Sequence, residues 1–197
     1  MLKKSFFGIN VMMDRRLDRE FFSQPTLKVA KELLGKVLVR KIGRKEIRGR
    51  ILETEAYIGE EDRASHARFG RTARNEVMYG QPGHAYVYLC YGLFELLNVV
   101  TEREDFPAAV LIRKIEPLSG LDPNLKSYGP GNLTKYLRIT RQLNGEDVTL
   151  SKNLYLIDDG FVARKIKRGE RIGVQYAGAH AKRKWRFYIE PADKTNG

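Results

Sequence analysis

Cysteine is almost missing from this chain. Cys90 stands alone, so no intramolecular disulfide can form and no thiolate cluster is at hand for a structural zinc. Its neighbours Leu89 and Tyr91 make it a core position in a protein of a reducing compartment. Long apolar runs are missing as well: no stretch reaches the roughly 20 residues that a membrane-spanning helix needs. The first residues set Lys3 and Lys4 before Phe6 and Phe7. That apolar run is short and broken, has no small-residue cleavage site and leads into Asp14-Arg15-Arg16, which does not fit a secretory signal. Residues 1–14 are therefore expected to be a flexible leader and residues 191–197 a flexible tail. Between them no repeat, low-complexity tract or shift of composition marks a boundary, so residues 15–190 are expected to form one domain. Acidic residues are the scarcer charge, 24 against 36 Lys and Arg. The net charge of +12 and a pI of about 9.8 point to a polyanionic partner, with nucleic acid the first candidate.

What is present centres on Ile51-Leu52-Glu53-Thr54-Glu55-Ala56-Tyr57. A strand alternates its faces, so Glu53, Glu55 and Tyr57 share one side while Leu52, Thr54 and Ala56 take the other. Like charges at this spacing repel, which a purely structural strand tends to avoid. Taken alone, the stretch reads equally well as an edge strand with a hydrated acidic face and as a seat of acid–base chemistry.

Upstream, Ser23-Gln24-Pro25 breaks the pattern. Thr26 is placed to cap a helix with Leu27, Ala30, Leu33 and Leu34 on one side, and Gly35 to end it. Residues 36–42 and 47–57 read as two strands around a turn at Gly43. Their junction carries Arg40, Lys41, Arg44, Lys45, Arg48 and Arg50, for which a solvated face is the first reading and phosphate contact the second. Residues 59–83 lose periodicity and hold Asp62, His66, Arg68, Arg71 and Arg74; so long a polar segment in a compact domain tends to be functional. His66 and His84 with the two glutamates match no recognised metal-ligand spacing. Residues 84–91 put Tyr86 and Tyr88 on one strand face and Tyr91 on the other parity beside Gly92, positions suited to core packing or to stacking on bases. Residues 94–101 and 108–115 read as a hairpin interrupted by Asn98 and Arg113, polar groups that need partners if buried. Residues 129–137 read as a short helix whose first amides suit a phosphate. Further strands are expected at 154–157, 171–176 and 185–189, with basic clusters at 164–171 and 182–186.

In chain order, Glu53-Thr54-Glu55-Ala56-Tyr57, Asp62 to His66, Arg74-Asn75, Tyr86-Val87-Tyr88, Tyr91-Gly92, Asn98 and Leu111-Ile112-Arg113 resemble the alkyladenine (3-methyladenine) DNA glycosylase family. The resemblance runs from about residue 17 to residue 189. It implies an α+β fold, a single mixed domain with a curved antiparallel β-sheet and flanking helices. It also implies a monomer acting on double-stranded DNA that contains damaged purines, in an intracellular, DNA-associated setting. The implied activity is hydrolytic release of alkylated or deaminated purines, which initiates base excision repair, with no cofactor and no metal. Carried over residue by residue, Glu55 matches the general base that activates water, and Arg113 the arginine that helps to hold that water. The backbone carbonyl of Ile172 matches a further contact to it. Tyr57, His66 and Tyr88 match the aromatic walls of a pocket for a flipped base, Asn98 the pocket residue that disfavours guanine's amino group, and Tyr91 the side chain inserted into the duplex.

Elementary chemistry agrees with that reading. A base inside a duplex is out of reach, so an enzyme that acts on it must extrude it and read it by stacking and edge contacts. Breaking the glycosidic bond passes through an oxocarbenium-like state that a nearby carboxylate stabilises while it draws a proton from water. The matched motifs hold no nucleophilic amine, which implies one-step hydrolysis without strand cleavage. Two other readings stay open. A non-catalytic nucleic-acid-binding module accounts for the charge and the tyrosines but leaves the paired glutamates unexplained. A metal-dependent nuclease uses Glu53, Glu55 and His66 as ligands, and activity that survives a chelator excludes it.

Overall fold

The structure, a computed structural model, describes residues 14–121 and 129–191. The leader and tail expected from the sequence fall outside those residues, apart from Asp14 and Pro191. The strands are β1 (Arg15–Arg16), β2 (Val37–Ile42), β3 (Lys45–Ile58), β4 (Ala85–Cys90), β5 (Phe94–Val100), β6 (Ala108–Ser119), β7 (Leu154–Asp158), β8 (Lys167–Gly169) and β9 (Arg186–Tyr188). They make one open antiparallel sheet in the order β1-β7-β2-β3-β6-β5-β4, with β9 on β3 and β8 on β9. Among the described residues three short helices, α1 (Arg19–Phe22), α2 (Thr26–Glu32) and α3 (Pro130–Tyr136), complete an α+β domain. Among those residues no helix is long and apolar enough to cross a membrane.

β3 organises the sheet. Gly43, at φ 58°, turns the chain back from β2, and β3 pairs along its length with β6. On its other edge the first half pairs with β2 and residues 53–55 pair with β9. Leu52 and Ala56 enter the main core with Ile51, and the buried Thr54 hydroxyl donates to the Ala30 carbonyl at 2.7 Å, which ties α2 to the strand. The alternation expected for residues 52–57 is thus present, with its polar member satisfied on the core side.

Two expectations are corrected. Thr26 is the first residue of α2 rather than its cap; Pro25 occupies the cap position and has no side chain to offer. Glu102, from the loop between β5 and β6, takes over the role, its Oε1 accepting from the Thr26 amide at 3.1 Å and the Thr26 hydroxyl at 2.6 Å. The strand expected at 171–176 does not form. Residues 172–173 make a turn, with Gly173 at φ 78°, and a 3-10 helix covers Gln175–Lys182. The positive φ of Gly173 breaks the extended backbone, and Arg171, its guanidinium drawn into the interior by Asp62, anchors the start of the turn.

Candidate active site

The strand register breaks where the chemistry sits. β3 slips against β6 between Ile51 and Glu53 and again between Glu53 and Thr54, which leaves Arg113 without an opposite Cα. Such a bulge re-aims side chains. Here it lays Arg113 across both glutamates: Nε donates to Glu53 Oε1 at 3.0 Å and Nη1 to Glu55 Oε2 at 3.2 Å. Arg186 on β9 donates to Glu53 Oε1 at 3.2 Å, so two guanidinium groups face two carboxylates and the like-charge repulsion is balanced. Glu55 has no exposed surface. The Tyr57 hydroxyl donates to its Oε2 at 2.8 Å and the Ile172 amide to its Oε1 at 2.8 Å. Burial pushes the Glu55 carboxyl above its ordinary range, against the pull of Arg113, the Ile172 amide and Tyr57. A carboxylate whose basicity is raised this way is a better proton acceptor than an ordinary surface carboxylate.

Above Glu55 opens a cleft of about 880 Å³, lined among others by Tyr57, His66, Tyr86, Tyr88, Asn98, Arg113 and Ile172. The rings of His66 and Tyr88 meet edge to face with centroids 4.3 Å apart, and Tyr86 lies 5.3 Å from Tyr88. His66 Nδ1 is 2.9 Å from the Tyr86 hydroxyl. Burial, with Arg74 and Arg68 nearby, lowers the His66 pKa to about 4, so the imidazole is neutral at physiological pH. Burial raises Tyr57 and Tyr88 well above the usual phenol value and Tyr86 to about 12, so all three keep their protons. The walls are therefore uncharged π surfaces. Asn98 is buried in β5, its Nδ2 donating to the Tyr86 carbonyl at 3.1 Å. Tyr91 stands at the rim with φ 50° and is 84% exposed.

Behind the cleft lies a second ion pair. Arg171 and Asp62 have fully buried side chains; Arg171 Nη1 and Nη2 both reach the carboxylate, the latter at 2.8 Å. Burial alone raises the Asp62 carboxyl, but its bonds and charge contact with Arg171 and the amides of Ala64 and Ile58 hold it below the usual range. Arg171 Nη1 also donates to the Ala56 carbonyl at 2.9 Å, and the guanidinium lies 4.8 Å from the centre of the Tyr57 ring and 5.1 Å from that of Trp185. It thereby grips the backbone between Glu55 and Tyr57, while the next residue along the chain sends its amide to Glu55.

The structure brings together the residues that the sequence analysis singled out. Tyr57, Arg113 and Ile172 bond Glu55 directly, and His66, Tyr88, Asn98 and Tyr91 line the cleft above it. Ile172 reaches Glu55 through its amide, a contact to the carboxylate that is separate from the carbonyl contact to water expected from the resemblance. Sequence reasoning missed Asp62–Arg171 as a pair and Arg186 as a partner of Glu53, because each joins residues more than 100 positions apart. Cys90 lines the cleft half-buried instead of lying in the core. His84 is elsewhere, its Nδ1 2.8 Å from the Gln81 carbonyl. Among the described residues no three of His, Cys, Asp and Glu gather as metal donors.

Residues 20–193 match the family of DNA glycosylases described as methylpurine-DNA glycosylase. The chain belongs to that family. Among its relatives is a protein of Methanocella arvoryzae, 53% identical over 183 residues, covering 87% of this chain and 91% of its own length. One from Clostridium perfringens is 43% identical over 196 residues, covering 89% and 96%. A third, from Legionella pneumophila, is 45% identical over 177 residues, covering 89% and 95%. All three carry the name "Putative 3-methyladenine DNA glycosylase".

Proposed function

We propose that this protein binds double-stranded DNA containing a damaged purine, receives the extruded base in the aromatic cleft and hydrolyses its N-glycosidic bond with a water that Glu55 activates. The observation that carries the reading is the buried Glu55 beneath that cleft. A carboxylate offers about four lone-pair positions. The Tyr57 hydroxyl, Arg113 Nη1 and the Ile172 amide take three of them, which leaves one, on Oε1, for a water hydrogen. Glu55 has no exposed surface, so in this reading the covering contacts shift to admit that water as the base enters. These donors also hold Glu55 in one rotamer, so the proton acceptor is ordered before substrate arrives.

The walls suit both substrate classes. A ring-methylated purine is a cation and stacks on the neutral π faces of Tyr57, Tyr88 and His66. Hypoxanthine, the deaminated purine, is neutral and gains from a proton as it leaves. Asn98 is the proposed discriminator against the guanine amino group, and Tyr91 the ring that fills the space the base vacates. Action as a monomer is part of this reading.

The test is incubation with duplex DNA holding one hypoxanthine or one methylated purine. Free base is expected, with the strand intact until alkali is added and no covalent adduct after borohydride. Strand cleavage with a trapped adduct contradicts direct hydrolysis, and activity lost with a chelator returns the nuclease reading.

A further inference from the structure

The touching pocket walls, His66 and Tyr88, each lie three residues before a ring that stands in solvent. Beyond Tyr88 that ring is Tyr91, 84% exposed, and beyond His66 it is Phe69, 82% exposed. Tyr91 has a place in the reading above and Phe69 has none. A lone exposed apolar side chain is ordinary; Phe69 differs in how firmly it is held. It ends the 3-10 turn His66–Phe69, which Ser65 Oγ caps by accepting from the Ala67 amide at 3.1 Å. The buried Asn75 closes the turn, its Nδ2 donating to the carbonyls of His66 at 3.0 Å and Gly70 at 2.9 Å. Gly70 leaves the turn at φ 81°, a backbone state that a side chain disfavours.

One cation bridges this ring to a second. The Arg68 guanidinium lies 4.5 Å from the Phe69 ring centre and 4.9 Å from that of Tyr176, itself 59% exposed with its hydroxyl donating to the Ala64 carbonyl at 3.2 Å. Arg68 and Tyr176 line the cleft. Phe69 thus continues a ring–cation–ring stack from the cleft lining out into solvent, on a protein of net charge +12. Such a combination suits a nucleotide, whose phosphate meets the cation and whose base or sugar meets the ring. Because the turn is already ordered, contact loses little conformational freedom.

We propose that Phe69 is a second DNA-contacting wedge, packed on a nucleotide that flanks the extruded one, so that the duplex is held by two exposed rings carried outward from the two touching pocket walls. The inference rests on the cleft being where the base is received.

The experiment compares the full chain with Phe69→Ala and Phe69→Trp, on duplex DNA bearing one hypoxanthine, on the same lesion in a single strand and on undamaged duplex. Phe69→Ala is expected to weaken duplex binding about tenfold. The dependence on salt should keep its slope, because no phosphate contact is lost, and excision from the single strand at saturating enzyme should be unchanged. The fluorescence of Phe69→Trp should be quenched by duplex beyond any change in the wild type, whose only tryptophan is Trp185. Wild-type binding and excision by Phe69→Ala, or added fluorescence in Phe69→Trp that duplex leaves untouched, overturns the proposal. Equal loss of excision at saturating enzyme on single strand and duplex overturns it too, since the ring then serves only the turn that places His66. If the wild type releases no base, the reading of the cleft fails, while the binding comparison of lesion-bearing with undamaged duplex still decides Phe69.

Discussion

The role proposed for Glu55 sets two opposed demands. Burial favours its protonated form, yet a general base must be ionised, and Arg113, Tyr57 and the Ile172 amide supply the counter-pull. The pH profile follows from the sign of that balance. With a cationic methylated purine the excision rate should rise with pH to a plateau governed by one group. Its midpoint should lie above the ordinary carboxylate range, since the Glu55 pKa is raised. With hypoxanthine a descending limb should follow at higher pH, because a neutral leaving base also needs a protonated acid. His66, lowered to about 4, is neutral across this range and adds no limb of its own above it. Profiles of the same shape for both substrates, measured in single turnover, contradict this division between base and acid.

At the scale of elements, the pair Asp62–Arg171 fastens the 172–173 turn to β3. Asp62→Asn leaves a buried guanidinium without its counter-charge, which costs on the order of 3–5 kcal/mol. It should also loosen the Ile172 amide from Glu55 and so move the rising limb of the pH profile to higher pH. A urea melt and a pH profile decide the matter: lost stability with an unmoved limb makes the pair a structural brace alone. This element also shows what was legible in the sequence. The alternation of residues 52–57 is a local, two-residue period and reads directly. The bulge that swings Arg113 over the glutamates depends on how β6 meets β3, which no local pattern carries. The turn that replaces the strand expected at 171–176 is likewise anchored from afar, because Arg171 answers to a carboxylate 109 residues away. The residues that gather at this cleft were singled out through the family resemblance, since their motifs lie in short contiguous stretches; their donors and distances were not legible.

At the scale of the whole molecule, the surplus of positive charge is unevenly free. In the run along β2 and β3, Lys41 and Arg48 pair with Glu46 and Arg48 also with Asp14, as on a solvated face, whereas Arg50 is largely buried against Asp159. At the cleft, Arg68 and Arg74 instead sit over aromatic rings. Affinity for undamaged duplex should fall steeply with salt, by roughly 10³-fold between 50 and 200 mM if about six phosphates are met. Arg74→Ala should lower the slope of log affinity against log salt by about one. A flat dependence, measured by titration, contradicts a phosphate-dominated interface.

The central claim is that Glu55 is the base that activates water. Glu55→Gln keeps the shape of the side chain and removes its ability to take a proton. Single-turnover release of free base from duplex bearing one hypoxanthine, or one methylated purine, should fall at least about 10³-fold, with duplex affinity retained. Release near the wild-type rate, with binding unchanged, would contradict the account.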